Sequence, residues 1–244
     1  MADQHFFQFL GVGDARNLEL GSSSAVYERN GEPSLLIDCG PTTEARCMAR
    51  YGRLPTGIFI THIHMDHVAG LEGLFYSAWF SASQRGKIKL YLPLGLVKYF
   101  HARLATFPNL LAEGGVNFYD AFQTVIVSER FWHDSLEFLV FPVRHHAPDS
   151  AFGIALPGKF VYTGDTRPIP EVLDTFNSGE VIFHDVALRG NPSHSGALEL
   201  QAEYRPELLD RLRVYHYDSS ASAGKLIELG FAVVPVSGRF ELAP

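Results

Sequence analysis

His62, His64, Asp66 and His67 fall within six consecutive residues of the segment Thr61-His62-Ile63-His64-Met65-Asp66-His67, directly after the apolar run Gly57-Ile58-Phe59-Ile60. Neutral imidazole nitrogen and carboxylate oxygen are the donors that bind Zn²⁺, Fe or Mn, and a short loop leaving a strand can aim several of them at one point. A polar turn whose histidines merely face water is the competing account, and the density of donors speaks against it.

Further candidates are spread along the chain, as a site assembled from several strand ends requires. His145-His146 follows the apolar stretch Leu136 to Val143, and the residues alone leave open which of the pair is a ligand. Asp165 stands in Tyr162-Thr163-Gly164-Asp165-Thr166, where Gly permits a sharp turn that aims the carboxylate. Taken alone, an acid in such a turn is more often a helix N-cap. His216 lies in Val214-Tyr215-His216-Tyr217, an apolar context in which an unpaired histidine is costly and a satisfied core histidine is the simpler account.

The elements that must position these groups read as a mixed α and β protein. Strands are expected at Phe6 to Gly11, Ala25 to Arg29 and Ser34 to Asp38, the last two joined by the hairpin dipeptide Asn30-Gly31. A helix over Thr43 to Tyr51, the strand Gly57 to Ile60 and a helical or irregular segment from Val68 to Ser83 follow. Later strands are expected at Lys87 to Leu92, Asn117 to Tyr119, Phe122 to Ser128, Leu136 to Val143, Phe152 to Ala155, Phe160 to Thr163 and Val181 to Phe183. Ala197 to Leu212 reads as a helix broken at Pro206, followed by a strand at Val214 to Tyr217 and a short helix near Ala223 to Leu229. Two terminal strands complete the chain, near Ala232 to Pro235 and Arg239 to Leu242.

The 244 residues, 46% of them apolar, suffice for a large core, and with no linker or low-complexity tract one domain over 1–244 is expected. The net charge of −7 disfavours a surface that grips long nucleic acid, while a small anionic substrate held by metals stays compatible with it. Cys39 and Cys47 match neither a zinc ribbon nor a disulfide framework. Met1-Ala2-Asp3-Gln4-His5 lacks the basic start of a signal peptide, and no apolar run approaches a membrane span. A soluble cytoplasmic protein is the expectation.

In combination, the chain from Phe7 to Leu242 resembles the metallo-β-lactamase superfamily, and within it the branch of ribonuclease Z and related phosphodiesterases. The resemblance is carried by Phe9-Leu10-Gly11-Val12-Gly13, Ser22-Ser23-Ser24, Leu36-Ile37-Asp38-Cys39-Gly40, the His-x-His-x-Asp-His loop and Thr163-Gly164-Asp165-Thr166-Arg167-Pro168. Val181-Ile182-Phe183-His184-Asp185 is similar to the branch's His-Glu segment, and Ser193-His194-Ser195 to its His-Ser-Thr motif, with His216 following His194 by 22 positions. The resemblance implies an α/β fold, the four-layer αββα sandwich, with metals at one edge. It also implies a dinuclear centre: His62, His64 and His146 on one metal, Asp66, His67 and His216 on the other, and Asp165 between them. Two Zn²⁺ are the expected cofactors, with Mn²⁺ or Fe compatible with the same donors.

Such a centre supplies hydroxide at neutral pH and offsets charge on phosphoryl oxygens. A departing alkoxide still needs a proton, which assigns His194 as general acid, oriented by Asp185; Asp66 stands with them among the catalytic residues. Asp185 departs from the branch, which carries Glu there. His184 is read as structural support. Ribonuclease Z inserts a long basic arm before the Gly-Asp-Thr turn, whereas 18 residues with one basic side chain, Lys159, separate His146 from Asp165. The absent arm shifts the expected substrate from tRNA to a small anionic phosphodiester, with 3′,5′-cyclic nucleotides the natural candidates, as in compact cyclic nucleotide phosphodiesterases of the anti-Pycsar type. The competing functions are tRNA 3′ processing, hydrolysis of a carbon ester, lactone or thioester, and metal-dependent ligand capture without cleavage. The aromatic-rich segment from Leu71 to Trp132 is expected to serve core, subunit contact or base stacking, and the branch implies a homodimer.

Overall fold

The computed structural model describes residues 3–105 and 114–243. Its N-terminal strands β1 (His5–Gly11), β2 (Ser24–Arg29) and β3 (Glu32–Ile37) pair antiparallel. Asn30 and Gly31 turn the second hairpin with φ of 56° and 80°, the pair of left-handed residues that matches the twist of the flanking strands. Beyond β3 the chain crosses over through α1 (Thr43–Tyr51), and β4 (Gly57–Phe59), β5 (Ile88–Pro93) and β6 (Phe122–Val127) are added in parallel. The crossovers carry α2 (Met65–Val68), α3 (Leu71–Phe80) and α4 (Val97–Phe100).

A second sheet holds β7 (Arg130–His133), β8 (Leu136–Pro142), β9 (Phe152–Leu156), β10 (Phe160–Tyr162), β11 (Val181–Asp185) and β12 (Leu212–Tyr215) in the spatial order 12-11-10-9-8-7. Strands β7 to β10 are antiparallel meanders, and β10, β11 and β12 are parallel. The connections carry α5 (Pro170–Leu173), α6 (Ala197–Glu203), α7 (Pro206–Leu209) and α8 (Ser220–Glu228), and β13 (Arg239–Glu241) returns to pair with β1 in the first sheet. Two mixed sheets with helices outside form the αββα sandwich that the resemblance implied.

Aromatic side chains fill the space between the sheets. Phe7 and Phe9, two apart on β1 and so on one face, meet Phe183, Phe160 and Tyr215 at ring-centroid separations of 4.4, 4.5 and 5.5 Å. Phe131 of β7 reaches Tyr91 of β5 at 4.0 Å. Each buried ring contributes about 1.5–3 kcal/mol of transfer free energy, so this layer is what holds the sheets face to face. At its far end His133 ties the sheets by polar contacts, with Nδ1 2.9 Å from the Tyr91 hydroxyl and Nε2 3.1 Å from the Ser34 carbonyl.

Local differences from the sequence expectations have local causes. Asn117 to Tyr119 is not a strand: Asn117 caps a 3₁₀ turn, Phe118–Ala121, by accepting from the Tyr119 amide while Asp120 accepts from the Asn117 amide. Such reciprocal capping outweighs the β preference of Phe and Tyr. Strand β7 was not anticipated; Asp134 and Ser135, with φ of 49° and 64°, supply its turn without the glycine that marks most tight hairpins. Residues 232–235 make a single bridge, Val214 with Val233, rather than a strand. In the aromatic-rich segment Phe75, Phe100 and Phe118 are core, whereas Phe80, Tyr99 and Trp132 are exposed. Phe107 lies outside the described residues, as do Met1 and Ala2 of the N-terminal reading. Among the described residues no helix is long and apolar enough to cross a membrane.

Candidate metal centre

Strand ends from both sheets converge on one edge. Asp38 follows β3, His62 to His67 follow β4, His145 follows β8, Asp165 follows β10, Asp185 ends β11 and His216 follows β12. This is the carboxyl side of the parallel strands, where α/β sheets open a crevice. Phe152 donates its backbone N–H to the Thr61 carbonyl at 2.9 Å and His216 donates to the Val12 carbonyl at 2.8 Å, so both sheets share the framework of the site.

Two glycines let the backbones come close enough. Gly164, at φ 64°, turns the chain after β10 so that Asp165 enters the cluster. At Gly40 a Cβ would stand 1.8 Å from the Asp66 carbonyl oxygen and 2.4 Å from the Ser22 Cβ. The same loop is laced to α2 by the Cys39 N–H to His67 carbonyl bond of 2.7 Å. Gly40→Ala is therefore expected to cost at least about 1–3 kcal/mol in urea unfolding and to weaken metal retention, because the obstacle is the backbone that carries Asp66.

The side chains form interlocking donor sets whose ligand atoms lie within 4.8 Å of one another: His62, His64, His145 and Asp165; and Asp66, His67, Asp165 and His216. Asp165 belongs to both. Its Oδ1 is 3.4 Å from His67 Nε2, and its Oδ2 is 3.6 Å from His62 Nε2 and 3.4 Å from His216 Nε2. Asp66 Oδ2 is 3.3 Å from His67 Nε2 and 3.6 Å from His216 Nε2.

The opposite ring nitrogens are held. His67 Nδ1 donates to Asp38 Oδ2 at 2.8 Å, His145 Nδ1 to the Ser193 carbonyl at 2.8 Å, and His62 Nδ1 stands 3.0 Å from the Thr61 hydroxyl. That leaves His62 Nε2, His67 Nε2, His216 Nε2 and Asp165 Oδ1 buried with no hydrogen-bond partner. Orphaned polar atoms of this kind are rare in a folded interior. Two donors each about 2.1 Å from a tetrahedral cation stand roughly 3.4 Å apart, so the observed separations suit divalent ions. His64 Nδ1 and His145 Nε2, 3.2 Å apart, complete the first set. Asp38 and His216 keep left-handed backbones, φ 61° and 71°, a strain that accumulates at sites fixed by function.

At one position the donor geometry departs from the ligand set implied by the resemblance, which named His146. His145, buried, turns into the cluster, whereas His146 is exposed with its Nε2 3.5 Å from the Ser193 hydroxyl. The chain takes φ 55° at His146, and this backbone turn separates the directions of the adjacent rings. The other residues named from the sequence lie together: His62, His64, Asp66, His67, Asp165 and His216 in the donor sets, with Asp185 and His194 beside them. Asp38 and Thr61, which orient His67 and His62, received no role from the sequence. An acid directly after the buried strand β3 was the available signal for Asp38.

His194 Nδ1 lies 2.9 Å from Asp185 Oδ2, so the shorter side chain reaches where the branch carries Glu. Asp185 is fully buried, accepts the Thr166 amide at 3.0 Å, and places Oδ1 3.4 Å from His216 Nδ1. His184 instead packs away from the centre, with Nε2 2.7 Å from the Tyr204 hydroxyl.

Without cations the cluster orders its own protons. Burial pushes His62 well below the ordinary imidazole range, and burial with the neighbouring His145 lowers His64 to about 4. In His216 burial opposes the charge, but Asp165, Asp66 and Asp185 outweigh it and raise the ring to about 9; Asp165, Asp38 and Asp66 likewise raise His67. A cation at His216 must displace that proton. Apparent metal affinity should accordingly strengthen about tenfold per pH unit between pH 7 and about 9 from His216 alone, and more steeply where His67 also yields a proton. In the metal-free protein the raised pKa of His216 stabilises the fold fully below an unfolded value of about 6.5, and that contribution is lost as pH rises through about 9. Competition against a chromophoric chelator across this range, corrected for ion hydrolysis, checks the slope; a flat profile would remove His216 from the ligand set.

An αββα sandwich with a histidine and aspartate cluster at its carboxyl edge defines a metallo-β-lactamase-fold protein. Solved structures agree: the metallo-β-lactamase fold protein YhfI from Bacillus subtilis superposes with a TM-score of 0.72 at 11% identity over 98% of this chain and 99% of its own. A diphosphatase of the PhnP family superposes with a TM-score of 0.75 at 14% identity, covering 98% of each chain. Residues 6–233 match the family described as Anti-Pycsar protein Apyc1, and the chain belongs to that family. It is an enzyme, a metal-dependent hydrolase. Among its relatives, an Anti-Pycsar protein Apyc1 from Paenibacillus xerothermodurans is 28% identical over 222 residues, 86% of this chain and 87% of that one. A Ribonuclease Z from Haloarcula marismortui is 27% identical over 281 aligned residues, 90% of this chain and 89% of that one.

Proposed function

We propose that this chain hydrolyses small phosphodiesters, 3′,5′-cyclic nucleotides foremost, with His194 as general acid. The observation that carries the reading is the His194–Asp185 pair. Unlike the ligand histidines 62, 67 and 216, which are buried at 0–5% exposure, the His194 side chain is 22% exposed, and it faces the cavity that holds Asp66, Asp165 and His216. Two divalent cations, Zn²⁺ by donor chemistry, held by His62, His64, His145 and Asp165 and by Asp66, His67, Asp165 and His216, would supply Lewis acidity toward phosphoryl oxygens and an acidified water.

The protein's own part is to place and protonate. Asp185 fixes the His194 ring by accepting from Nδ1, which leaves Nε2 to carry a proton toward the cavity. Burial disfavours the charged ring, but the Asp185 hydrogen bond and charge outweigh it and raise the His194 pKa above the ordinary value. The protonated form of His194 is thereby favoured over that of a free imidazole. Hydrolysis puts the water oxygen on phosphorus, breaks the bond to the ribose oxygen and places a proton on that departing alkoxide, which is the proton His194 delivers.

Support for a small substrate comes from the chain between His145 and Asp165. It forms the tight β9–β10 hairpin, with a three-residue connection at Pro157-Gly158-Lys159, and leaves no length for an arm. The alignment with the Haloarcula Ribonuclease Z runs over 281 positions, more than the 244 residues present here, as an insertion in that relative requires. A cavity of about 700 Å³ over the centre accommodates a mononucleotide. The second reading, tRNA 3′ processing, draws on that same relative. Metal-loaded protein offered cyclic nucleotides beside precursor tRNA, with Asp66→Ala as control, separates the two: faster tRNA cleavage would favour the second reading, and inactivity on every phosphodiester would sink both. The reading includes a cytoplasmic location and a homodimer; the homodimer is supported by exposed Ile126 and Trp132 on the edge strands β6 and β7 and is tested by light scattering at micromolar protein.

A further inference from the structure

The cavity over the centre has a cationic rim formed by Arg16, Arg189 and Lys225. Arg16 is already engaged, with Nε and Nη2 donating to Asp14 Oδ2 at 3.1 and 3.0 Å and Asp218 at 3.9 Å. Arg189 and Lys225 are exposed, and among the described residues neither has a hydrogen bond or ion pair from its side chain. Asp218 lines the same cavity, yet Lys225 does not pair with it. The cavity is also lined by Asp14, Asp66, Asp165 and Asp218, so Arg189 and Lys225 are two uncommitted cations set beside carboxylates that the donor sets and Arg16 already engage.

The loop that carries Arg189 also carries His194 and is tied down by its own hydrogen bonds. It is closed at its base by the Ala187 N–H to Ser195 carbonyl bond of 2.8 Å and the Ala197 N–H to Ala187 carbonyl bond of 3.0 Å. Within it Asn191 Oδ1 accepts from the Ser193 and His194 amides at 2.8 and 3.0 Å. A smaller cavity of about 250 Å³, lined by Tyr99 and Arg103, also reaches His64 but does not include His194. The departing oxygen must lie within reach of His194. In a cyclic nucleotide both ester oxygens belong to one ribose, so the whole nucleoside follows that oxygen into the Arg189 and Lys225 cavity.

Resting on the phosphodiesterase reading above, we propose that Arg189 and Lys225 are substrate-binding residues for a cyclic mononucleotide, Arg189 on its nucleoside side and Lys225 on its phosphate. Lys225 meets the anionic phosphate as a mobile point charge, and Arg189 lays its planar guanidinium against the base. Base recognition then falls to this polar rim rather than to Tyr99.

Steady-state kinetics on cyclic AMP test this with metal-loaded protein. Arg189→Gln and Lys225→Gln should each raise KM about tenfold with kcat changed less than about threefold, a loss of binding common to ground and transition states. Lys225→Arg should restore KM and Arg189→Lys should not, because only the second exchange removes a planar group. The fall of kcat/KM with added salt should flatten in Lys225→Gln, while Lys87→Gln, an exposed charge outside the cavity, changes neither quantity. Calorimetric binding of adenosine 5′-monophosphate should weaken in parallel. An unchanged KM in both glutamine variants, or a larger rise in Tyr99→Ala, would overturn the proposal while leaving the phosphodiesterase reading intact. Failure of the unmodified metal-loaded protein to hydrolyse any phosphodiester, cyclic nucleotides and bis(p-nitrophenyl) phosphate included, would instead remove both.

Discussion

Asp165→Asn is expected to lower turnover by about 10²–10⁴-fold, equivalent to roughly 2.7–5.4 kcal/mol of activation barrier, because the metal-dependent stabilisation of phosphoryl charge needs both donor sets. It is also expected to purify with less than half the metal of the unmodified protein. The reason is the sharing of one carboxylate. Oδ2 faces His62 and His216 while Oδ1 faces His67, so each donor set loses an anionic oxygen at once. Asp66→Asn provides the comparison, because Asp66 belongs to one of the two sets and should cost the metal of that set alone. The two variants separate further without metal: His216 is raised to about 9 with Asp165 the foremost carboxylate, and His67 likewise depends on Asp165 first, so neutralising it should lower both. Metal content by plasma emission, read beside kcat and a circular dichroism check of folding, decides the matter. Two equivalents of metal retained by Asp165→Asn would refute the bridging role.

What could be read from the residues divides along the range of the forces involved. The His62 to His67 cluster was legible because its spacing is local: a strand ends, and donors within one turn of chain share a point in space. Asp165 and His216 were legible as part of a pattern, since their meeting with that cluster depends on strand order across two sheets. The choice between His145 and His146 was not legible, because a single backbone turn decides it. His145 finds the Ser193 carbonyl 48 residues further on, and neither composition nor spacing announces that contact. Strand β7 shows the same limit, as its value lies in Phe131 and His133 reaching Tyr91 on the other sheet. Asp38 is the instructive omission: its motif was visible, but its purpose is set by His67, 29 residues away, and appears only when both stand at one edge.

His194→Ala carries the mechanism, and its expected effect depends on what is leaving. On a 3′,5′-cyclic nucleotide the departing ribose alkoxide is a strong base, and loss of its proton donor should cost about 10²–10⁴-fold in kcat. On bis(p-nitrophenyl) phosphate the departing phenolate needs little protonation, so the same variant should stay within about tenfold. A uniform loss on both substrates would show that His194 acts on the metal centre or on binding instead. Asp185→Asn refines the assignment through pH. Burial lowers the His194 pKa and the Asp185 contact raises it beyond the ordinary value, so removing the carboxylate charge should bring it down. The acid is competent only while protonated. The alkaline limb of the pH–kcat profile for a cyclic nucleotide should therefore shift to lower pH in Asp185→Asn, while the profile for the p-nitrophenyl ester moves little. Because Asp185 Oδ1 also stands 3.4 Å from His216 Nδ1, metal content must be matched between the proteins compared. A limb that stays in place at equal metal loading would mean that another group supplies the proton.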